Sequence, residues 1–308
     1  MEDIQTKINR GYSIGRTSGG PGSRYKSWEW CHAAFKLERA KLHPDIDLLS
    51  LHLAFYLASW GMYRGSSFLL DRDYKAHQNA VKIILEPVYS DLWDYDPTTA
   101  VSIADANDLI FGTAAKDKVE GVYWRIKDSY SHYTNSVGNN ADDDIPSDTL
   151  VTKILLGTFA CIPAFDRFLK RGISQYVKKY DKKIGGNTLT QSIESSSKKK
   201  SWTDSFKALA ELVKKDPSEF KLKPNGNVNA LYPPMKCVDM YFWEIGYELD
   251  MADSLNDSSK KIASRIGVYN KTASMGLFTP DPSFNTLNDA AKDVELKRAA
   301  VEIKNKNW

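Results

Sequence analysis

Cysteine is scarce in this sequence, and the three that are present, Cys31, Cys161 and Cys237, lie far apart along the chain. No CxxC pair occurs, so the sequence offers no ligand set for a zinc ribbon or an iron–sulfur cluster. A sparse and odd cysteine count favours a reducing compartment over a secreted, disulfide-bonded state. We therefore expect a cytoplasmic protein that carries no metal or other cofactor.

Long apolar runs are lacking as well. The N-terminus has no apolar segment of the signal-peptide kind, and the longest apolar stretch, residues 48–62, is interrupted by Ser50, His52, Ser59 and Gly61. Crossing a bilayer takes about 20 predominantly apolar residues, so this stretch is too short and too polar to do so. We expect no membrane partner and interpret the stretch as a buried helix.

Several catalytic motifs are missing. The sequence has no GxxxxGK[ST] phosphate loop, no GxSxG elbow and no HExxH zinc motif. The glycine-rich stretch near residue 20 is not followed by a strand–helix unit, which argues against a dinucleotide-binding fingerprint. The histidines show no ligand spacing, and His52, on a mostly apolar helix, is predicted to be a hydrogen-bonded core residue.

The chain is nevertheless long enough, at 308 residues with 42% hydrophobic residues, to bury a sizeable core. Its many aromatic residues are expected mainly in that core. Apolar residues recur at helical spacing without strand-like alternation, which predicts a mainly α-helical bundle of two packed lobes. Helices are predicted at about 28–41, 47–63, 73–86, 114–133, 148–160, 166–180, 206–215, 235–251 and 286–304, with a short one starting near 96–99.

The pattern divides the chain into four segments. Residues 1–44 are predicted as a loop-rich stretch and a helix packed on the core, and residues 45–180 as a helical core that holds the candidate site. Residues 181–203 are rich in Gly, Ser and Lys, which is typical of a flexible basic loop. Residues 204–308 are predicted as a C-terminal helical lobe.

Positive charge concentrates in the second half, although the net charge is only +3. Between residues 167 and 223 basic residues outnumber acidic ones. Lysine and arginine gain affinity for phosphates through counterion release, so this charge predicts a polyanionic partner. The alternative is an ordinary solvated surface. The candidate phosphate contacts are Arg64, Arg167, Lys170, Arg171, Lys178 and Lys179.

A single carboxylate stands immediately before this charge. A helix capped by Ser147 leads through the turn Pro163-Ala164-Phe165 to Asp166. A carboxylate at the mouth of a helical core can stabilise an oxocarbenium-like sugar, or activate water, as a glycosidic bond breaks. The alternative is that Asp166 caps the following helix and pairs with a neighbouring arginine.

This order of features resembles the helix-hairpin-helix DNA glycosylases over about residues 45–175. Ile145-Pro146 resembles the hairpin entry, residues 150–160 resemble the following helix, and residues 163–166 resemble the turn that delivers the catalytic aspartate. The chain departs from the family at residues 147–149, which are Ser-Asp-Thr where the family has glycines. The resemblance implies a glycosylase-like fold and excision of a damaged or modified base, including modified phage bases, from double-stranded DNA.

The same resemblance implies roles for particular residues. Asp166 would be the catalytic carboxylate. Lys153, whose register differs from the family's, lies near the place where lyase-type members carry an amine nucleophile and is a second catalytic candidate. Trp60 and Tyr63, at the end of a buried helix, would stack on the extruded base or fill the gap that it leaves; the alternative is a tight helix crossing.

Two further functions remain open from the sequence. One is a non-enzymatic helical protein that binds nucleic acid or a protein partner, such as a regulator or a phage-defence component. The other is a helical small-molecule sensor that uses the glycine-rich N-terminal stretch. The sequence makes no prediction of the oligomeric state.

Overall fold

The computed structural model describes residues 4–17, 26–65, 67–99, 101–114, 119–131, 146–180, 183–184, 187–188, 202–222 and 232–306. These residues are mainly helical, as predicted. None of the helices in the described part of the chain is long and apolar enough to cross a membrane.

The helices follow one another along the chain as α1 (Ile4–Thr17), α2 (Ser27–Glu38), α3 (Ile46–Ser59), α4 (Gln78–Ile84), α5 (Ile103–Phe111), α6 (Val122–Ser129), α7 (Asp148–Gly157), α8 (Arg167–Tyr180), α9 (Thr203–Lys215), α10 (Pro234–Asn256), α11 (Ile262–Ser274) and α12 (Asp289–Lys304). Short 3-10 helices lie at Phe68–Asp71, Tyr74–His77, Pro87–Leu92 and Phe284–Thr286. Two short strands, β1 (Lys183–Ile184) and β2 (Asn187–Thr188), pair in antiparallel register between α8 and α9.

Side-chain caps fix several helix starts. Asp45 accepts the N–H of Leu48 at 2.9 Å and begins α3, and Ser147 accepts the N–H of Leu150 at 3.2 Å and begins α7. Each cap satisfies a backbone donor that the first helical turn leaves without a partner. The Ser147 cap was predicted from the sequence and is confirmed.

The short helix predicted near 96–99 begins later, at Ile103. The Asp96 carboxylate accepts the N–H of Thr98 at 2.8 Å, which forms a turn rather than a helix cap. Ser102 supplies the cap, accepting the N–H of Asp105 at 3.0 Å.

Three other expectations were wrong. The predicted loop at the N-terminus contains helix α1, whose Ile8 is buried in the core. Within the described residues of the helix predicted over 114–133, residues 119–121 are not helical and α6 begins only at Val122, and Val119 is half exposed. His52 is partly exposed beside α2, whereas His32 and His77 are the buried histidines.

Helix α10 lies at the centre of the C-terminal half, packed by α1, α8, α9, α11 and α12. Its predicted apolar face, including Val238, Phe242 and Ile245, is fully buried. Helix α8 crosses it at backbone contact: a Cβ on Gly172 would lie 1.9 Å from the Phe242 carbonyl oxygen, and one on Gly246 2.0 Å from that of Phe168. Only glycine fits at these two positions.

The segment between α7 and α8 is irregular, yet residues 158–165 are all buried. Helix α2 fastens it, because Trp28 Nε1 donates to the Leu156 carbonyl at 2.7 Å and His32 Nδ1 donates to the Thr158 carbonyl at 2.5 Å. The Phe165 N–H donates to Thr152 Oγ1 at 3.0 Å. These bonds hold in place the turn that carries Asp166.

Candidate functional site

Asp166 is both a helix cap and one partner of an ion pair. Its Oδ1 accepts the N–H groups of Phe168 and Leu169, each at 3.0 Å, and so begins α8. Its Oδ2 lies 3.0 Å from Lys153 Nζ, and the two side chains are only 12% and 7% exposed. Both carboxylate oxygens are therefore engaged within the protein, and the two predicted catalytic residues contact each other.

Trp60 joins this pair. It is the C-cap residue of α3, and Lys153 Nζ lies 5.3 Å from the centre of its ring. The other side of the site is formed by Trp243 of α10, whose ring meets Trp60 edge-on at 5.7 Å. Three of the residues predicted from the sequence, Trp60, Lys153 and Asp166, thus come together.

Trp60 also lines a cleft formed by α1, α2, the end of α3 and α10. The cleft contains about 600 Å³ of space free of protein atoms, including space open to solvent. Its walls combine aromatic rings with charged groups. The aromatic residues are Tyr12, Trp28, Trp60, Tyr232 and Trp243, and the charged ones are Lys26, Glu29, Lys236, Asp239 and Glu244.

The aromatic wall at one end is fixed by contacts among its members. Tyr232 packs against Trp28 at 5.0 Å between ring centres and meets Tyr12 edge-on at 5.8 Å. The Tyr232 hydroxyl donates to the Glu29 carboxylate. Burial, together with this carboxylate, raises the pKa of Tyr232 well above its ordinary value, so the hydroxyl stays protonated.

A buried ion pair forms part of the cleft wall. Lys236 Nζ lies 2.9 Å from Asp239 Oδ2 and 5.2 Å from the centre of the Trp28 ring. Asp239 Oδ1 accepts the Ala164 N–H at 3.1 Å. Asp239 therefore holds the same turn that carries Asp166, and it faces the cleft.

Two of the six predicted phosphate contacts are paired with acidic residues of α10. Arg167 lies 3.5 Å from Asp250, and Arg171 lies 2.5 Å from Asp253. Lys170 is half buried, with its Nζ 4.6 Å from the centre of the Trp202 ring, and burial lowers its pKa. These partners reduce the positive charge that α8 presents.

The three remaining predicted basic residues are Arg64, Lys178 and Lys179. Lys178 is exposed on α8, and the side chain of Lys179 lies outside the described residues. Arg64 is exposed, and its guanidinium covers Gly61, at which a Cβ would meet Arg64 Nε at 2.5 Å.

Tyr63 takes part in a separate buried chain of hydrogen bonds. Its hydroxyl lies 2.6 Å from His77 Nε2, and His77 Nδ1 lies 2.6 Å from the Tyr130 hydroxyl. Burial lowers the pKa of His77 to about 4 and raises that of Tyr63 to about 12. The imidazole is therefore neutral, with one nitrogen donating and the other accepting. Tyr63 contacts His77 rather than lining the cleft with Trp60.

Sequence reasoning identified only Trp60 among the residues of the cleft. One signal was available for Asp239, because this carboxylate lies within the apolar stripe of α10, next to Val238 and three residues before Phe242. A charge in such a position must find a partner in the fold. Within the described ranges, His, Cys, Asp and Glu side chains form no group that could hold a metal ion.

Comparison of the chain with known protein families, with characterised proteins and with solved structures finds no match. Function must therefore be argued from the cleft itself.

Proposed function

We propose that the cleft binds a planar, hydrogen-bonding ring, and that a nucleobase is the ligand class it fits best. The observation that supports this proposal is the pair of partly exposed tryptophans, Trp60 and Trp243, that line the cleft beside the buried Lys236–Asp239 pair. Stacking on aromatic side chains contributes about 1–3 kcal/mol per base. Lys236 can donate a hydrogen bond and Asp239 can accept one. Together they distinguish ring edges that differ in their pattern of donors and acceptors.

The internal lysines favour a neutral ring over a cationic ligand. Aromatic cages commonly bind ammonium groups, but here Lys236 and Lys153 already lie over the rings of Trp28 and Trp60. A second cation at those rings would be repelled by the first. A neutral heterocycle meets no such repulsion, and the partly exposed Trp243 provides a ring against which it can pack.

Excision of a damaged or modified base from DNA is the activity we propose for this cleft. The extruded base would enter beside Trp60, behind which lie Lys153 and Asp166. Asp239 supplies a second carboxylate that faces the cleft, and Lys26, which lines it, suits a flanking phosphate. The resemblance to helix-hairpin-helix glycosylases supports this proposal, and the pairing of Arg167 and Arg171 with carboxylates weighs against tight duplex binding.

Ligand binding can be tested with free bases and nucleosides by calorimetry and by tryptophan fluorescence. We expect Trp243→Ala to weaken binding at least about tenfold because it removes one stacking face. Leu70→Ala is the control, since Leu70 is exposed and does not line the cleft. Absence of binding by the unaltered chain, or equal loss in both variants, would contradict the proposal.

Base excision can be tested separately by incubating the protein with duplexes that carry varied base modifications and scoring alkali-labile abasic sites. Asp239→Asn and Asp166→Asn are compared, since asparagine keeps the capping ability at position 166. Activity that survives Asp166→Asn limits Asp166 to its structural role. Salt-sensitive DNA binding without abasic sites would favour the alternative, a non-enzymatic nucleic-acid-binding regulator or defence component.

A further inference from the structure

Helices α2 and α3 form a hairpin whose outer side is apolar and exposed. Trp30 and Leu37 of α2 are 59% and 71% exposed, and Leu51 and Phe55 of α3 are 52% and 60% exposed. Monomeric proteins rarely expose so many large apolar side chains together. The complete face, which we call the hairpin face, comprises Trp30, Ala33, Ala34, Leu37, Leu48, Leu51, His52, Phe55 and Ala58.

Helical spacing places these residues in two neighbouring stripes. The α2 members recur at i, i+3, i+4 and i+7, and the α3 members follow the same spacing, so each helix shows one apolar side outward. The opposite sides, with Phe35 and Leu53, are fully buried in the core. A short connection, closed by the Asp45 N–H donating to Glu38 at 3.0 Å, makes the helices antiparallel. The two stripes therefore lie side by side on one surface.

The hairpin face carries no formal charge apart from any proton on His52, although 26% of all residues in the chain are charged. At its margin, Lys36 and Arg39 are paired with Asp94 at 3.1 and 2.9 Å. An anionic lipid surface would find little unpaired positive charge here. The best complement to the hairpin face is another uncharged apolar surface.

We propose that the hairpin face binds the same face of a second copy of this chain. The exposed parts of its large apolar residues sum to on the order of 600 Å², at the lower end of the roughly 600–1,000 Å² per partner of a standard stable interface. A two-fold axis would pack two hairpins into a four-helix arrangement in which each stripe meets its counterpart. This inference is independent of the ligand proposed for the cleft.

The pairing also bears on the cleft. Trp28 and Glu29 at the start of α2, and Trp60 at the end of α3, line the cleft, and Trp30 and Phe55 lie at the same end of the hairpin. A partner that packs on this end immobilises the two helix ends that carry part of the cleft wall.

Sedimentation velocity on the full chain tests the proposal. We expect a dimer, and we expect Leu37→Glu combined with Leu51→Glu to raise its dissociation constant at least about a hundredfold, because two charges per copy would be buried without partners. Circular dichroism and the melting temperature verify that the variant is folded. Leu70→Glu is the matched control, since Leu70 is 54% exposed outside the hairpin face.

Crosslinking provides a second, independent readout. His52→Cys places a thiol near the middle of the hairpin face, and we expect a covalent dimer with a short bismaleimide. The native Cys31, Cys161 and Cys237 are all buried and do not compete in the folded chain. A monomeric unaltered chain at high concentration would overturn the proposal. So would equal disruption by Leu70→Glu, or a monomer that binds phosphatidylcholine–phosphatidylglycerol vesicles through Trp30 and Phe55.

Discussion

At the scale of single residues, the Lys153–Asp166 pair shows that the stability of a buried charge depends on the groups that it contacts. Lys153 lies on a helix that is otherwise apolar, and Asp166 gives one oxygen to two backbone N–H groups and the other to Lys153. A buried ion pair need not be strongly stabilising as a whole, but removing one member leaves the other without compensation. The pair is therefore a sensitive point whether or not it meets a substrate.

We expect Lys153→Met to lower the free energy of unfolding by about 2–4 kcal/mol, because it leaves the largely buried Asp166 carboxylate without its cation. Urea denaturation measures the change. The double variant Lys153→Met with Asp166→Asn is the control and should recover a large part of the loss, since asparagine still caps α8 without carrying a charge. Full stability in Lys153→Met alone would show that the pair contributes nothing.

The two buried histidines make stability depend on pH. Burial lowers the pKa of His32 and of His77 from 6.5 to about 4. Below pH 6.5 the unfolded chain takes up protons that the folded chain does not, so stability falls as the pH drops towards 4 and levels off below it. We expect a loss of roughly 3 kcal/mol per histidine across this window.

The measurement is a series of urea titrations between pH 4 and pH 7.5. His77→Gln should flatten the slope by about half, since the glutamine amide can still hydrogen-bond to Tyr63 and Tyr130 but does not titrate. An unchanged slope in this variant would mean that other groups account for the acid sensitivity.

At the scale of elements, α8 and α10 cross at backbone contact, and two glycines permit it. A methyl group at Gly172 or Gly246 would overlap with the backbone of the other helix rather than with a flexible side chain. The helices would have to separate, which opens gaps along both.

Gly172→Ala should lower the free energy of unfolding by about 3 kcal/mol or more, despite the higher helix propensity of alanine. Gly267→Ala is the matched control, because Gly267 lies within α11 and a Cβ there meets nothing within 4 Å. That variant should gain about 0.5–1 kcal/mol. Equal effects at both positions, measured by thermal unfolding, would contradict the close crossing.

Periodicity predicted most helices because their apolar stripes continue without interruption, as in α9 and α10. Helix α1 was missed because Gly11 and the glycine-rich residues after it suggest turns, and because only Ile4, Ile8 and Tyr12 mark its apolar side. Helix α11 was missed because its sequence carries few large apolar residues, and Tyr269 is the large apolar residue that it buries fully. In both cases tertiary packing outweighs a weak local pattern.

At the scale of the whole molecule, α1 is fastened to α10 by a buried ionic cluster. Lys7 Nζ lies 3.0 and 2.9 Å from the two oxygens of Glu248, and both side chains are fully buried. Arg10 contacts the same carboxylate at 2.5 Å. Because Gly11 and Tyr12 line the cleft, this cluster positions one of its walls.

Glu248→Ala should release α1, because Lys7 cannot remain charged in the interior without a counter-ion. We expect faster proteolysis within residues 4–17 and loss of ligand binding in the cleft, with most of the helical circular dichroism retained. Combining Glu248→Leu with Lys7→Met should restore much of the protection, since the pair is then replaced by apolar groups. Undiminished protection in Glu248→Ala would assign the anchoring of α1 to its apolar contacts.

The candidate site was the least predictable part of the chain from sequence. Trp60 was identified because it follows a buried helix, but Trp28 and Trp243 belong to helices that join only in three dimensions, and Tyr232 lies just before the second of them. The pairing of Arg171 with Asp253 could not be predicted from the sequence either, because charge counts along the chain do not reveal which charges pair with one another. Local patterns specify elements, whereas a cleft is specified by contacts between distant ones.

The contact between α1 and α10 has a consequence for biosynthesis. Lys7 and Glu248 are 241 positions apart, so α1 cannot dock on α10 until the chain between them has been synthesised. Until then its buried lysine remains in water, and the cleft lacks the wall that α1 provides. The cleft is therefore complete only after these two distant parts of the chain have met, because α1 and α10 both contribute to its walls.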